Sequence, residues 1–184
     1  EALAPAECPP DTALFRTFYD VFGDARILRN ELGQDDTRQY DGMGRLIVQV
    51  RPARPANSPG NPTGSVVQLT EYYAYDLLGQ RIQRWNSQLG SSVKELTEYD
   101  RQGRVVSTTD HGGTATTYTY VWSGSLTTPG LGPYGGWTKT TVNAAGLTAT
   151  EATDYFDRTI DKVDFGGHNY DFTFDKAGRQ VTQG

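Results

Sequence analysis

An all-β fold, an antiparallel meander of β-hairpins, is what this sequence predicts, and three observations predict it. The 184 residues include 21 Gly, 11 Tyr and 9 Pro, and aromatics reach 11 %, a balance that favours strands and turns over helices. No window shows a 3.6-residue apolar period bounded by caps. A short unit, aromatic-Asp-x-x-Gly-Arg, recurs along the chain.

Residues 1–13 are Pro/Ala-rich without a period and read as a tail or linker; residues 14–184 carry the repeats. The unit is complete at Tyr40-Asp41-Gly-Met-Gly44-Arg45, Tyr99-Asp100-Arg-Gln-Gly103-Arg104 and Phe174-Asp175-Lys-Ala-Gly178-Arg179. Tyr75-Asp76-Leu-Leu-Gly79 lacks only the Arg, and Tyr19-Asp20-Val-Phe-Gly23 keeps the aromatic, Asp and Gly. Tyr120-Val-Trp-Ser-Gly124 and Val142-Asn143-Ala-Ala-Gly146 read as worn copies, and Phe156-Asp157-Arg158 as one that has lost its Gly. From Tyr19 to Val142 the first residues of the copies fall 21–24 apart, except for the 35 between Tyr40 and Tyr75. A Pro-rich loop at 52–64 accounts for that excess, and a Gly/Pro loop is expected at 127–136.

Each position of the unit has a mechanical reason. An Asp that opens a turn accepts a hydrogen bond from the backbone N–H two residues on. A Gly three residues later takes positive φ at no steric cost. Asp-x-x-Gly is thus a type I turn closing on a left-handed residue, a tight hairpin. The aromatic ends one strand and the Arg starts the next. Tyr73 and Tyr75, Tyr118 and Tyr120, Phe172 and Phe174 each share a strand face, so stacked hairpins line up an aromatic ladder. Asp110-His-Gly112-Gly113 and Asp164-Phe-Gly166-Gly167 mark turns at the opposite end, and Ala144–Asp154 reads as strand.

Charge and cysteine content narrow the partners. Seventeen Lys and Arg against 22 Asp and Glu give −5, which argues against nucleic acid and anionic membranes as partners. No apolar run approaches the ~20 residues of a membrane helix, so no membrane insertion is expected. A single cysteine, Cys8, excludes an internal disulfide and a Cys-based zinc site. The chain begins at Glu1 with no charged-then-apolar leader and reads as an excised or processed piece.

No constellation points to an enzyme, a cofactor or a metal. Gly130-Leu-Gly132-Pro-Tyr-Gly135 matches G-x-G-x-x-G, but Pro133 removes an N–H and a Thr-rich strand follows where a phosphate site needs a helix. His111 and His168 lie in Gly-rich turns with no nucleophile tied to them by spacing. Asp154, Asp157, Asp161, Asp164, Asp171 and Asp175 crowd one region; calcium is one reading, solvated turns and Arg pairing the favoured one, since no D-x-D-x-D-G loop is present. Trp122, Tyr134 and Trp137 flank the Gly/Pro loop. They could stack on a sugar ring, and packing against the sheet is the simpler role.

The repeats, Tyr-Asp-x-x-Gly-Arg at about 21-residue spacing, resemble the YD-repeat or RHS-repeat family over residues 15–184. The family includes bacterial polymorphic toxins, insecticidal toxin-complex subunits and animal teneurins. The resemblance implies a ribbon-like sheet that forms part of a spiral hollow shell around a variable C-terminal toxic cargo. It implies a secreted, cell-surface or secretion-system-associated parent, with the remaining repeats and the enclosed cargo as partners. The self-cleavage core found in many bacterial members has no copy here. The alternative function is an extracellular carbohydrate- or protein-binding adhesin built from the same repeats. On either reading the outermost strands keep unpaired backbone groups, so self-association through an edge strand is expected.

Overall fold

The structure is a computed structural model describing residues 15–55, 66–128 and 132–183. The tail at 1–13, with Cys8, lies outside these residues, as do 56–65 of the Pro-rich stretch and 129–131 of the Gly/Pro loop. Every regular element among the described residues is a strand, and the chain divides into two compact units, Glu1–Lys94 and Glu95–Gly184.

In the first unit β1 (Arg16–Tyr19), β2 (Ala25–Arg29), β3 (Asp35–Tyr40) and β4 (Leu46–Val50) pair antiparallel in chain order. A small pair, β5 (Arg54–Pro55) with β6 (Val66–Val67), interrupts the connection from β4 to β7 (Thr70–Tyr75), and β8 (Arg81–Asn86) follows. The Pro-rich stretch therefore opens in a two-stranded pair rather than wholly as loop; a two-residue strand tolerates the missing N–H of Pro55.

The second unit is a longer meander of the same kind. Its strands are β9 (Glu95–Tyr99), β10 (Val105–Thr109), β11 (Ala115–Ser123), β12 (Gly136–Val142), β13 (Thr148–Asp154), β14 (Thr159–Val163), β15 (Asn169–Phe174) and β16 (Gln180–Gln183). Each pairs antiparallel with the next. The antiparallel meander predicted from the repeats is the fold observed. Among the described residues β1 pairs only with β2, and β16 only with β15.

Burial is shallow. Ala152 is the only buried hydrophobic residue among those described, whereas Gln49, Glu71, Thr128 and Asp154 are buried polar ones. Cohesion therefore comes from ladder hydrogen bonds and cross-strand side-chain pairs more than from a closed apolar core.

Two worn copies sit elsewhere than the repeat count places them. Tyr120 lies inside β11, which runs on to Ser123, so the chain turns at Gly124 and Ser125 and not at the Tyr. Asn143 does open a turn, but at the opposite end of the strands from Asp100 and Asp154. Its regular spacing from Tyr120 reflects the length of the intervening loop. The third worn copy is out of register by three. Asp154, not Asp157, is the turn-opening Asp, and Asp157 occupies the Gly position at φ 61°.

Candidate functional site

One turn geometry is used ten times among the described residues. It opens at Asp20, Asn30, Asp41, Asp76, Asp100, Asp110, Asn143, Asp154, Asp164 and Asp175. In each, the opening residue donates its N–H to the carbonyl four residues on, and accepts at its own carbonyl from the N–H three residues on. Its side-chain Oδ1 accepts from the N–H groups two and four residues on, at 2.8–3.0 Å. The residue three on is left-handed, with φ from 61° to 88°. Asp and Asn carry the short acceptor that best fits this frame, Ser and Thr making the same bond more weakly, and only Gly takes that φ freely. Asn30-Glu-Leu-Gly33 escapes the repeat pattern because no aromatic precedes it and no Arg follows it.

Alternation of the meander separates these turns. In the first unit Asp20, Asp41 and Asp76 share one end of the strands and Asn30 the other. In the second, Asp100, Asp154 and Asp175 share an end with the 124–135 connection; Asp110, Asn143 and Asp164 occupy the other.

At the repeat end the Arg closes the turn. Arg45 Nε donates to Asp41 Oδ2 at 2.7 Å, Arg104 to Asp100 at 2.7 Å, Arg158 to Asp154 at 2.9 Å and Arg179 to Asp175 at 2.8 Å. Arg26 does the same for Asp20 at 2.6 Å from two residues further along. At Asp41 the Arg45 backbone N–H leads the other bonds in holding the carboxyl below its usual value. At Asp154 burial pushes the carboxyl up, and the bonds from Arg158 and Phe156 outweigh it.

Four of these arginines clasp the following repeat. Arg26 lies 5.5 Å from the Tyr40 ring centroid, Arg45 4.9 Å from Tyr75, Arg104 4.5 Å from Tyr120 and Arg158 4.5 Å from Phe174. In three of these pairs the tyrosine answers. Tyr40 OH donates to the Ala25 carbonyl at 3.0 Å, Tyr75 OH to Leu46 at 2.8 Å and Tyr120 OH to Val105 at 3.1 Å. Each acceptor stands five residues after the turn-opening Asp. The worn Tyr120 thus keeps its lateral contact though it has lost its turn. The unit is a clasp between repeats as much as a hairpin signal, and the clasp is invisible along the chain because its halves lie up to 31 residues apart.

The Asp-rich region resolves into separate pairs. Asp154 and Asp175 bond their arginines, Asp164 bonds His168, and Asp161 faces Asp171 across β14 and β15. No group of three or more metal-ligating side chains forms among the described residues. His111 Nδ1 lies 3.1 Å from Glu95 Oε1. The G-x-G-x-x-G stretch lies partly outside the described residues, and strand β12 comes after it.

Trp122 and Trp137 are cross-strand partners, packed edge to face with centroids 5.4 Å apart. Tyr134 is exposed in the loop, without a ring contact among the described residues. The loop returns tightly onto the sheet: a Cβ on Gly135 would come within 2.6 Å of Trp122, and one on Gly136 would collide with the Thr153 carbonyl. Beside it the second unit holds a groove of about 570 Å³. Gln102 and Arg104 form one side, Asp157 and Thr159 the other, and Tyr120, Trp137, Lys139, Glu151 and Thr153 the floor. The sequence singles out Trp137 but offers no sign of Lys139, Glu151 or Asp157, which come together only through strand register.

No family model and no curated protein matches the chain. Among solved structures it is similar to a chain in "Crystal Structure of TcdB2-TccC3-TEV", at 12 % identity and a TM-score of 0.22. The similarity covers 92 % of this chain and 14 % of that one. The fold rests on the strand pairings described above and not on so low a score.

Proposed function

We propose that this chain is a structural segment of an RHS/YD-type repeat wall, part of a β-shell that encloses and helps deliver a toxin or other cargo of the same parent protein. The observation that carries this reading is the clasp. Four arginines, Arg26, Arg45, Arg104 and Arg158, each held by its own turn-opening Asp, engage the next repeat's aromatic, so the strands cohere by nearest-neighbour contacts, as in a sheet extended by adding repeats. Two further features support it. Apolar side chains stand at the turn tips of the first unit, with Val21, Phe22, Met43, Leu77 and Leu78 all more than two-thirds exposed, as suits packing against neighbouring wall. The edge strands β1 and β16 have one partner each among the described residues, leaving backbone groups that a neighbouring wall segment would pair. On this reading the partners are further repeats and the cargo, and the parent is secreted, displayed on the cell surface or tied to a secretion system.

The test is electron microscopy of the full product of the parent gene, combined with limited proteolysis. The expected result is a hollow particle whose downstream segment resists protease until the wall is opened. A solid particle, with that segment cut as fast as when it is produced alone, would overturn the proposal.

A further inference from the structure

The clasp has two halves, a guanidinium and a ring, and the described residues hold one of each without its mate. Arg179 bonds Asp175 at 2.8 Å as its four counterparts bond theirs, yet no ring lies over it among the described residues. Tyr19, 65 % exposed, precedes a turn-opening Asp as Tyr40 and Tyr75 do, yet no guanidinium covers it there. The two flank the edge strands: Arg179 precedes β16 and Tyr19 ends β1. The four mated clasps also share one register. The residue seven after the turn-opening Asp pairs with the residue three before the clasped ring: Ile27 with Thr37, Val48 with Tyr72, Ser107 with Thr117 and Asp161 with Asp171. The offset holds even from β4 to β7, where the Pro-rich stretch replaces a tight turn, so the length of the connection does not set it. Applied to β16 and β1, it puts Thr182 opposite Arg16. Arg179 then meets the Tyr19 ring, and the Tyr19 hydroxyl meets the Gln180 carbonyl, five residues after Asp175.

We propose that β16 is a strand-recognition edge whose occupant is β1 of a second copy of this chain, antiparallel and in that register. The joint deepens the wall reading and rests on it for the clasp's role between repeats. It selects unlike edges. Two β16 strands would bring together two guanidiniums without a ring, and two β1 strands two rings without a guanidinium. At the proposed joint Arg16 faces Thr182, and β16 carries no charged residue, so no like charges are set opposite each other. The unpaired backbone groups of both edges supply the ladder. A contact between unlike surfaces adds copies head to tail and does not stop at a two-fold pair.

Arg179→Ala and Tyr19→Ala each remove one half of the joint and keep the other. Sedimentation velocity of the full chain, from about 10 μM to about 1 mM, compares wild type, each variant and their equimolar mixture. Wild type is expected to form a concentration-dependent series, and each variant alone to raise the dissociation constant at least about tenfold. The mixture is expected to recover association and stop at a one-to-one pair, because one variant still offers Tyr19 and the other Arg179. A monomeric wild type, a two-fold dimer as the end point, a variant that associates like wild type, or a mixture no more associated than its parts would overturn the joint. Cysteine trapping reads the register independently. Thr182→Cys and Arg16→Cys chains, both in a Cys8→Ser background, are expected to couple on mixing; a Thr182→Cys chain that couples to itself as readily would count against the register. A monomeric wild type beside a hollow parent particle would sink the joint alone. A solid parent particle would sink the wall reading whether or not the series forms.

Discussion

The two ends of the hairpins share one turn and differ in everything attached to it. At both ends Asp or Asn caps the turn through the same backbone bonds. At the repeat end the six turns opened by Asp20, Asp41, Asp76, Asp100, Asp154 and Asp175 are each accompanied by a register shift in the strand pair. At the opposite end, the pairs joined at Asn30, Asp110, Asn143 and Asp164 run in constant register. The Arg and the clasp belong to the first set. The difference teaches that Asp-x-x-Gly makes the hairpin, whereas the aromatic and the Arg make the neighbour. The extra bulge is present at every turn of the repeat end; bulges of this kind raise local twist and re-aim side chains.

The sharpest way to break this comparison is to remove an Arg. Asp154 has no exposed side-chain surface, and the Arg158 guanidinium bonds its Oδ2 through both Nε and Nη2. Arg158→Ala leaves that carboxylate buried without its counter-ion and removes the stack on Phe174, so a loss of about 3 kcal/mol is expected. Urea unfolding followed by tryptophan fluorescence checks it. Arg179, with 81 % of its side chain exposed and no ring above it among the described residues, should give no measurable change when replaced by Ala. Equal effects of the two substitutions would deny the clasp a role.

The shared turn is tested by its glycines. Gly103 at the repeat end and Gly113 at the opposite end have φ of 82° and 78°. Replacing either by Val should cost about 1–2 kcal/mol, with the two values alike. A much larger cost at Gly103 would show that the turn itself, rather than the Arg and aromatic beside it, distinguishes the ends.

A smaller effect isolates the tyrosine. Tyr75→Phe keeps the ring beside Arg45 but loses the 2.8 Å bond to the Leu46 carbonyl, and about 1 kcal/mol of stability should go with it. Phe174 already occupies the corresponding place under Arg158 without a hydroxyl. Tyr75→Phe leaving the urea midpoint unmoved would reduce the clasp to ring stacking alone.

The smallest effect concerns acid at the opposite end. The His168 backbone N–H foremost, with its side chain and the Gly166 N–H, lowers the Asp164 carboxyl to about 2. A carboxyl depressed on folding stabilises the folded chain above its unfolded value of 3.8, and that contribution fades as pH falls toward about 2. Asp164→Asn should flatten this part of the acid limb while keeping the turn, as Asn30 and Asn143 do. Melting midpoints measured from pH 5 to about 2 decide it, and an identical acid limb in the variant would refute the assignment.

Much of the fold is legible in the sequence because its signals are local. Asp at the turn opening and Gly three residues later can be read at Asp41, Asp100 and Asp175 without knowing any partner. Copies that swap a residue are harder. Asn30 does the work of Asp with no aromatic before it, and Asp157 does the work of Gly, which draws a reading of that repeat three residues downstream. The groove is legible only through Trp137. Lys139 and Glu151 meet through the register of β12 with β13, and a one-residue slip would turn them to the other face.

The clasp also gives each unit a mechanical grain. Force applied along the strands loads all the ladder bonds of a strand pair together, and they resist in parallel. Force applied across the strands meets one Arg, one ring and one tyrosine hydroxyl at a time, each released before the next is strained. Such a sheet is stiff in one direction and peels in the other. The weakest place to start the tear is a strand such as β16, whose neighbouring Arg179 has no further ring to hold among the described residues.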